Sequence, residues 1–121
     1  MALNKKDVIK QVDDAFRRND VEGFLAFCDD DFVWTMVGSD PVRGKDATRK
    51  WMGSGPPEPP NFTAHTVVAE GDVVTSIGDM TMKENGAVVP YAYCDVWRFR
   101  GDKIVELRAF VIKTAGVTAN A

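Results

Sequence analysis

One carboxyl, Asp95, sits in the stretch of this 121-residue chain best suited to chemistry, Tyr91-Ala92-Tyr93-Cys94-Asp95-Val96-Trp97-Arg98-Phe99. Aromatic and β-branched residues dominate it and nothing in it breaks an extended run, so it reads as a strand. A period of two places Tyr91, Tyr93, Asp95, Trp97 and Phe99 on one face, and Ala92, Cys94, Val96 and Arg98 on the other. An acid between Tyr93 and Trp97 is either hydrogen-bonded or held neutral by burial, with a raised pKa. In the second case it can serve as a general acid or base. In the first it bonds a Tyr hydroxyl or a Trp indole and only orders the core.

His65 is the second candidate. It shares strand parity with Thr63 and Val67, and it can pair with Asp95 across a sheet as a proton relay; a lone histidine on a strand is equally a surface residue. Trp34, Met36, Trp51, Tyr91, Tyr93 and Trp97 are the residues expected to wall a pocket for a ring-shaped apolar ligand. Asp79 and Asp40 are weaker candidates, the latter reading as a turn residue before Pro41. The two cysteines and single histidine fit no metal-ligand spacing, so neither a metal nor another cofactor is expected.

The elements that must position these residues follow from the pattern. The length suits one domain over residues 1–121, with a core from about residue 6 to residue 113. The content of 45% hydrophobic and 27% charged residues is that of an ordinary globular chain. A net charge of -3, without a Lys/Arg cluster, argues against a nucleic-acid partner. The sequence contains neither a leader-like apolar segment near Met1 nor a run long enough to span a membrane. Cys28 and Cys94 read as reduced thiols, and the expected location is cytoplasmic.

Residues 6–18 read as a helix whose stripe is Val8, Ile9, Val12, Ala15 and Phe16. Asp20 can cap a second short helix with Val21, Phe24, Leu25 and Cys28 as its stripe. Asp29, Asp30 and Asp31 read as a solvated turn, and residues 32–37 as a short strand. A third helix opens near Gly44 and carries Ala47, Trp51 and Met52. The Gly- and Pro-rich residues 53–60 read as a rigid surface connection, or as a rim of the pocket. Four strands follow over residues 62–70, 73–83, 87–100 and 103–113. They are joined at Gly71-Asp72, at Asn85-Gly86 and at Gly101-Asp102. Pro90 suggests an edge or bulge, and residues 116–121 a frayed tail. Helices first and an antiparallel meander second predict an α+β domain.

That order resembles the nuclear transport factor 2-like superfamily, in its SnoaL-like and ketosteroid isomerase-like branch. The local text carries the resemblance: Asn19-Asp20-Val21-Glu22-Gly23-Phe24-Leu25-Ala26-Phe27, Val37-Gly38-Ser39-Asp40-Pro41 with Arg43-Gly44, and Asp95-Val96-Trp97-Arg98-Phe99 with Lys103-Ile104-Val105-Glu106-Leu107-Arg108-Ala109-Phe110. It implies a cone-shaped, curved antiparallel sheet with three N-terminal helices on its concave face, a cystatin-like α+β barrel. It also implies that Asp95 matches the isomerase acid that donates a hydrogen bond to a developing enolate. The isomerase base would fall at Thr35 or Met36, and the helix Tyr at Val12. Neither position carries the group. The Asp-Arg-Asp set of the epoxide hydrolases is not matched either, because Tyr93 stands where the Arg would. His65 has no firm counterpart among the cyclases' histidines.

Two functions remain open on the sequence. One is a cofactor-independent isomerase, cyclase or dehydratase, using Asp95 on a small apolar ring or carbonyl compound. The other is a non-catalytic binding or dimerisation module of the same fold. Ala92, Cys94, Val96, Phe110 and Ile112, with Glu106 and Arg108, make the second sheet face too apolar for water alone, which predicts a homodimer through the sheet.

Overall fold

The computed structural model of the protein describes residues 4–54 and 61–114. The chain runs α1 (Lys5–Arg17), α2 (Val21–Leu25), β1 (Cys28–Met36), β2 (Val42–Arg43), α3 (Lys45–Gly53), β3 (Asn61–Glu70), β4 (Val73–Glu84), β5 (Ala87–Arg100) and β6 (Lys103–Lys113). Asn4 caps α1 by accepting from the Lys6 and Asp7 amides, and Asp20 caps α2 by accepting from the Gly23 amide. Both caps satisfy amides that have no partner inside the first turn.

The six strands form one curved, unclosed sheet in the order β2-β1-β6-β5-β4-β3. Strands β3 to β6 are the meander expected from the three two-residue turns, each paired antiparallel to the next. At the β4–β5 turn Asn85 and Gly86 both take positive φ, 52° and 81°, the geometry an Asn-Gly hairpin turn requires. Pro90 sits where its nitrogen does no harm. Its carbonyl accepts from the Thr114 amide, so its nitrogen faces the same side, one position beyond the last β5–β6 pair, Tyr91 with Lys113.

The apolar stripe of α1 (Val8, Ile9, Val12, Ala15) packs with Phe24 and Leu25 of α2 onto the concave face of the sheet. It meets Phe32, Val74, Trp97, Phe99, Ile104 and Leu107 there. The core therefore fills one end of the concavity. At the other end helices and sheet stand apart.

Two expectations are corrected, and one pairing is new. Asp29, Asp30 and Asp31 are not a turn but the start of β1. Their charges are answered across the surface: Arg100 reaches Asp29 at 2.7 Å and Asp31 at 3.2 Å, and Lys45 reaches Asp30 at 3.7 Å. Cys28 belongs to β1 and not to the second helix, which stops at Leu25. The first strand pairs parallel with β6 and antiparallel with the two-residue β2, which was not expected. The reading of residues 53–60 as a connection or rim falls mostly outside the described residues, as does that of residues 116–121.

Candidate active-site cavity

A cavity of about 570 Å³ lies between the concave face and the helices. The sheet register explains why it is open. Asp95 on β5 stands beside Ser76 on β4 and Ala109 on β6, and Ala109 stands beside Met36 on β1. Ser and Ala are too short to cover the carboxyl, so it reaches the cavity. In the next row Tyr93 has Gly78 on one side and Val111 on the other.

Gly78 is there for space. A Cβ built on it would lie 2.1 Å from the Thr63 carbonyl oxygen and 2.7 Å from the Tyr93 hydroxyl. Gly78→Ala is therefore expected to push β3 from β4 or to displace Tyr93, at about 1–3 kcal/mol, the usual range for overpacking. Urea denaturation measures it; an unchanged midpoint would show that the rows are looser than this.

The helices supply a second acid. Asp13 follows Ile9 by four residues and precedes Phe16 by three, so it borders the apolar stripe of α1 and lines the same cavity. Burial pushes the Asp13 carboxyl up to about 6. The nearby Arg17 guanidinium opposes this but is engaged elsewhere: it bonds Asp14 at 3.3 Å and the Phe62 carbonyl at 3.3 Å, and stacks 4.2 Å from the Phe62 ring centre. Burial pushes Asp95 further, to about 7, and the charge of Asp13 adds to the rise. The Tyr93 hydroxyl is also raised, first by burial and then by the charges of Asp13 and Asp95, with Ser76 in hydrogen-bonding reach. Neither carboxyl has a hydrogen bond or ion pair to another described residue. The rest of the lining is mostly apolar and aromatic, with Asn19, Asp20, Asn61, Thr81 and Lys83 among it. Trp34 meets Trp51 edge-on at 4.9 Å and Phe16 at 5.9 Å, and Phe62 meets Tyr93 edge-on at 6.3 Å.

Of the residues expected from sequence, Asp95, Tyr93, Trp34, Met36 and Trp51 line this cavity. Tyr91, Trp97 and His65 do not. Tyr91 shares the concave parity but lies beyond the cavity, where its hydroxyl donates to Glu84 and Lys113 joins the same Glu84 at 3.0 Å. Trp97 is fully buried in the core, against Phe16 and Phe24. His65 lies at the register shift between Ala64 and Thr66 on β3. The extra residue turns both His65 and Thr66 outward, and His65 Nε2 lies 2.6 Å from Asp79 on the outer surface. It does not meet Asp95. Asp13 was missed, although its spacing from Ile9 and Phe16 was a signal.

At the isomerase base position Met36 faces the cavity. At the helix position Val12 is fully buried, with Asp13 beside it on the cavity wall. Chemically the site can bind an apolar molecule, donate a hydrogen bond or proton from one carboxyl, and accept a proton at another. Among the described residues no group of three or more His, Cys, Asp or Glu side chains is placed to hold a metal ion. None of their helices is long and apolar enough to cross a membrane.

Solved structures share this architecture. An NTF2-like protein of unknown function from Burkholderia pseudomallei K96243 superposes with a TM-score of 0.80 at 18% identity, over 88% of this chain and 89% of that one. An LEH-like epoxide hydrolase from M. tuberculosis gives 0.76 at 20%, over 87% and 80%. A ketosteroid isomerase described as putative, from Kribbella flavida DSM 17836, gives 0.76 at 12%, over 87% and 75%. At these identities the likeness establishes the NTF2-like fold alone. No curated protein sequence matches the chain. The model of the SnoaL-like domain matches residues 8–107, from the first turns of α1 into β6, and the chain belongs to that family.

Proposed function

We propose that the protein binds a small apolar ring or carbonyl compound in the cavity between helices and sheet, and that Asp95 acts on its oxygen as a general acid. One observation carries this reading: a carboxyl that burial pushes up to about 7, with no hydrogen-bond or ion-pair partner among the described residues, lies on the wall of a largely apolar cavity. A carboxylic acid that stays protonated near neutrality can donate a hydrogen bond to a carbonyl oxygen, and can strengthen it as negative charge develops there. An isomerase, cyclase or dehydratase would use this same step.

The test is titration of the protein with a neutral bicyclic ketone, 2-tetralone, followed by saturation-transfer NMR. Binding is expected to be tightest below pH 7 and to weaken as pH rises through 7, because ionised Asp95 no longer donates to the ketone. Val111→Trp, which fills the cavity, is expected to abolish binding. Binding that ignores both pH and Val111→Trp, or no binding at all, would overturn the reading. A bound ketone that undergoes no proton exchange would favour the non-catalytic module.

The partner expected through the outer sheet face is proposed as a second copy of this chain. Ile77, Phe110 and Ile112 are exposed there, with Arg108 and Glu106 on the same strand. Charges of both signs around an apolar centre suit self-association. Sedimentation velocity is expected to give a dimer, and a monomer at high micromolar concentration would overturn this.

A further inference from the structure

We propose that Asp13 is the second acid–base group of the cavity and works with Asp95 as a pair, one carboxyl taking a proton from the bound ligand while the other gives one up. The proposal rests on the ligand-pocket reading above and goes beyond it by naming the base. Three observations support it. Asp13 and Asp95 line one cavity from elements remote in sequence, α1 and β5. The charge of Asp13 acts on Asp95, and the charges of both act on the Tyr93 hydroxyl, which lines the same cavity. Neither is tied up by a hydrogen bond or ion pair to a described residue, whereas Asp14 and Asp20 beside them are paired with Arg17 and Arg18.

The two environments differ in a way that sorts the roles. Asp13 has Arg17 nearby to favour its ionised form, whereas among the described residues the charge acting on Asp95 is that of Asp13. Among the described residues, the other charged or titratable groups near the pair are Asp14 on α1, Asp20 at the start of α2, Tyr93 on β5 and Lys83 on β4. The remaining lining side chains from β1, β3, β6 and α3 are uncharged. Arg17 favours the ionised form of Asp13, and the heavier burial of Asp95 favours its protonated form. That division makes Asp13 the base and Asp95 the acid.

Such a pair suits a ligand with a C–H next to a carbonyl. The Asp13 carboxylate takes that proton. The C–H electron pair becomes a C=C bond, and the carbonyl π pair moves to oxygen, which takes the proton of Asp95. The enol then returns its O–H proton to Asp95 and accepts the Asp13 proton at the same carbon, or at one conjugated with it. Every proton and electron pair is returned within one ligand, so the step needs no oxidant, reductant or co-reactant.

The experiment uses 2-tetralone in D2O with the whole protein, following loss of its α-proton signal by NMR. The protein is expected to accelerate exchange over buffer, with a bell-shaped pH profile peaking between about 6 and 7. The two limbs belong to the pair as a unit. Asp13→Asn and Asp95→Asn are each expected to slow exchange about 100-fold or more, while the tetralone dissociation constant changes by only a few-fold. The double variant is expected to be no slower than the worse single one. Formate added to Asp13→Ala is expected to restore part of the rate. Exchange at the wild-type rate in Asp13→Asn, with loss in Asp95→Asn, would overturn the pair and leave Asp95 acting alone. Tetralone bound by the wild type but not exchanged would overturn the pair and leave the pocket standing. No binding at all would remove the pocket reading, and the pair with it.

Discussion

Asp95→Asn is expected to stabilise the protein at pH 8 by up to about 4 kcal/mol and to leave its stability unchanged at pH 4. The folded-state pKa is about 7 against 3.8 for the free side chain. At about 1.36 kcal/mol per pH unit, that gap disfavours the ionised form in the folded state by up to about 4 kcal/mol. Solvent reaching the cavity screens part of this, so the figure is an upper bound. The sign follows from which state holds the proton more tightly. Folded protein does, so the penalty is absent below about pH 4, grows between 4 and 7, and is complete above 7. Asn removes the charge and with it the pH dependence. Asp13→Asn should act the same way, more weakly, with its window between about 4 and 6. Urea denaturation at the two pH values measures both. An Asn variant less stable than wild type at pH 8 would mean that favourable bonds hold the Asp95 carboxylate. A gain in stability on removing a group that the proposed chemistry needs is the expected trade-off at a functional site.

Trp97→Ala is expected to cost about 3–5 kcal/mol, the range for removing a large buried aromatic side chain. Trp97 is completely buried and lies 6.4 Å from the Phe16 ring centre and 6.3 Å from that of Phe24. Phe16 also lines the cavity, so the loss would loosen the cavity wall as well as the core. Its indole Nε1 has no hydrogen-bond partner among the described residues. An unpaired buried donor carries a desolvation penalty of about 1–3 kcal/mol. Trp97→Phe removes that donor and keeps a ring, so it is expected to cost less than half as much as Trp97→Ala. Equal losses for the two variants would show that the indole's extra volume, and not the ring contact, is what the core requires.

The meander was legible because each of its three turns is two residues long and glycine-bearing, with β-rich text on either side. Each strand found from that pattern lies within one residue of its observed bounds. The β1 start was not legible. Three consecutive aspartates oppose a strand locally, and Arg100 and Lys45, distant in sequence, answer their charges there. The parallel pairing of β1 with β6 is likewise a contact between the two ends of the chain, which local pattern does not encode. Asp95 was legible because strand parity is exact over a run without bulges between Tyr91 and Arg98. His65 was misplaced because a bulge at its own position breaks that parity. Asp13 lies outside the apolar stripe read for residues 6–18; it becomes a cavity residue because α1 lies across the concave face opposite β5.

The site therefore differs from the isomerase pattern that the sequence brings to mind. The Asp95 carboxyl stands on the expected strand. The base position on β1 holds Met36, and the second carboxyl comes from the helix next to the buried Val12. The proposed chemistry depends on one carboxyl that holds its proton into the neutral range, Asp95, and one that has released its own, Asp13.

The most direct test is a carboxyl NMR titration of Asp95, with Asp95→Asn as the assignment control, in free protein and with 2-tetralone bound. The account predicts a midpoint near 7. It should rise on binding, because the neutral ketone accepts from the protonated form, and fall in Asp13→Asn, because a neighbouring negative charge is gone. A midpoint at or below the model-peptide value of about 3.9, unmoved by ligand or by Asp13→Asn, would contradict it and leave Asp95 an ordinary ionised side chain.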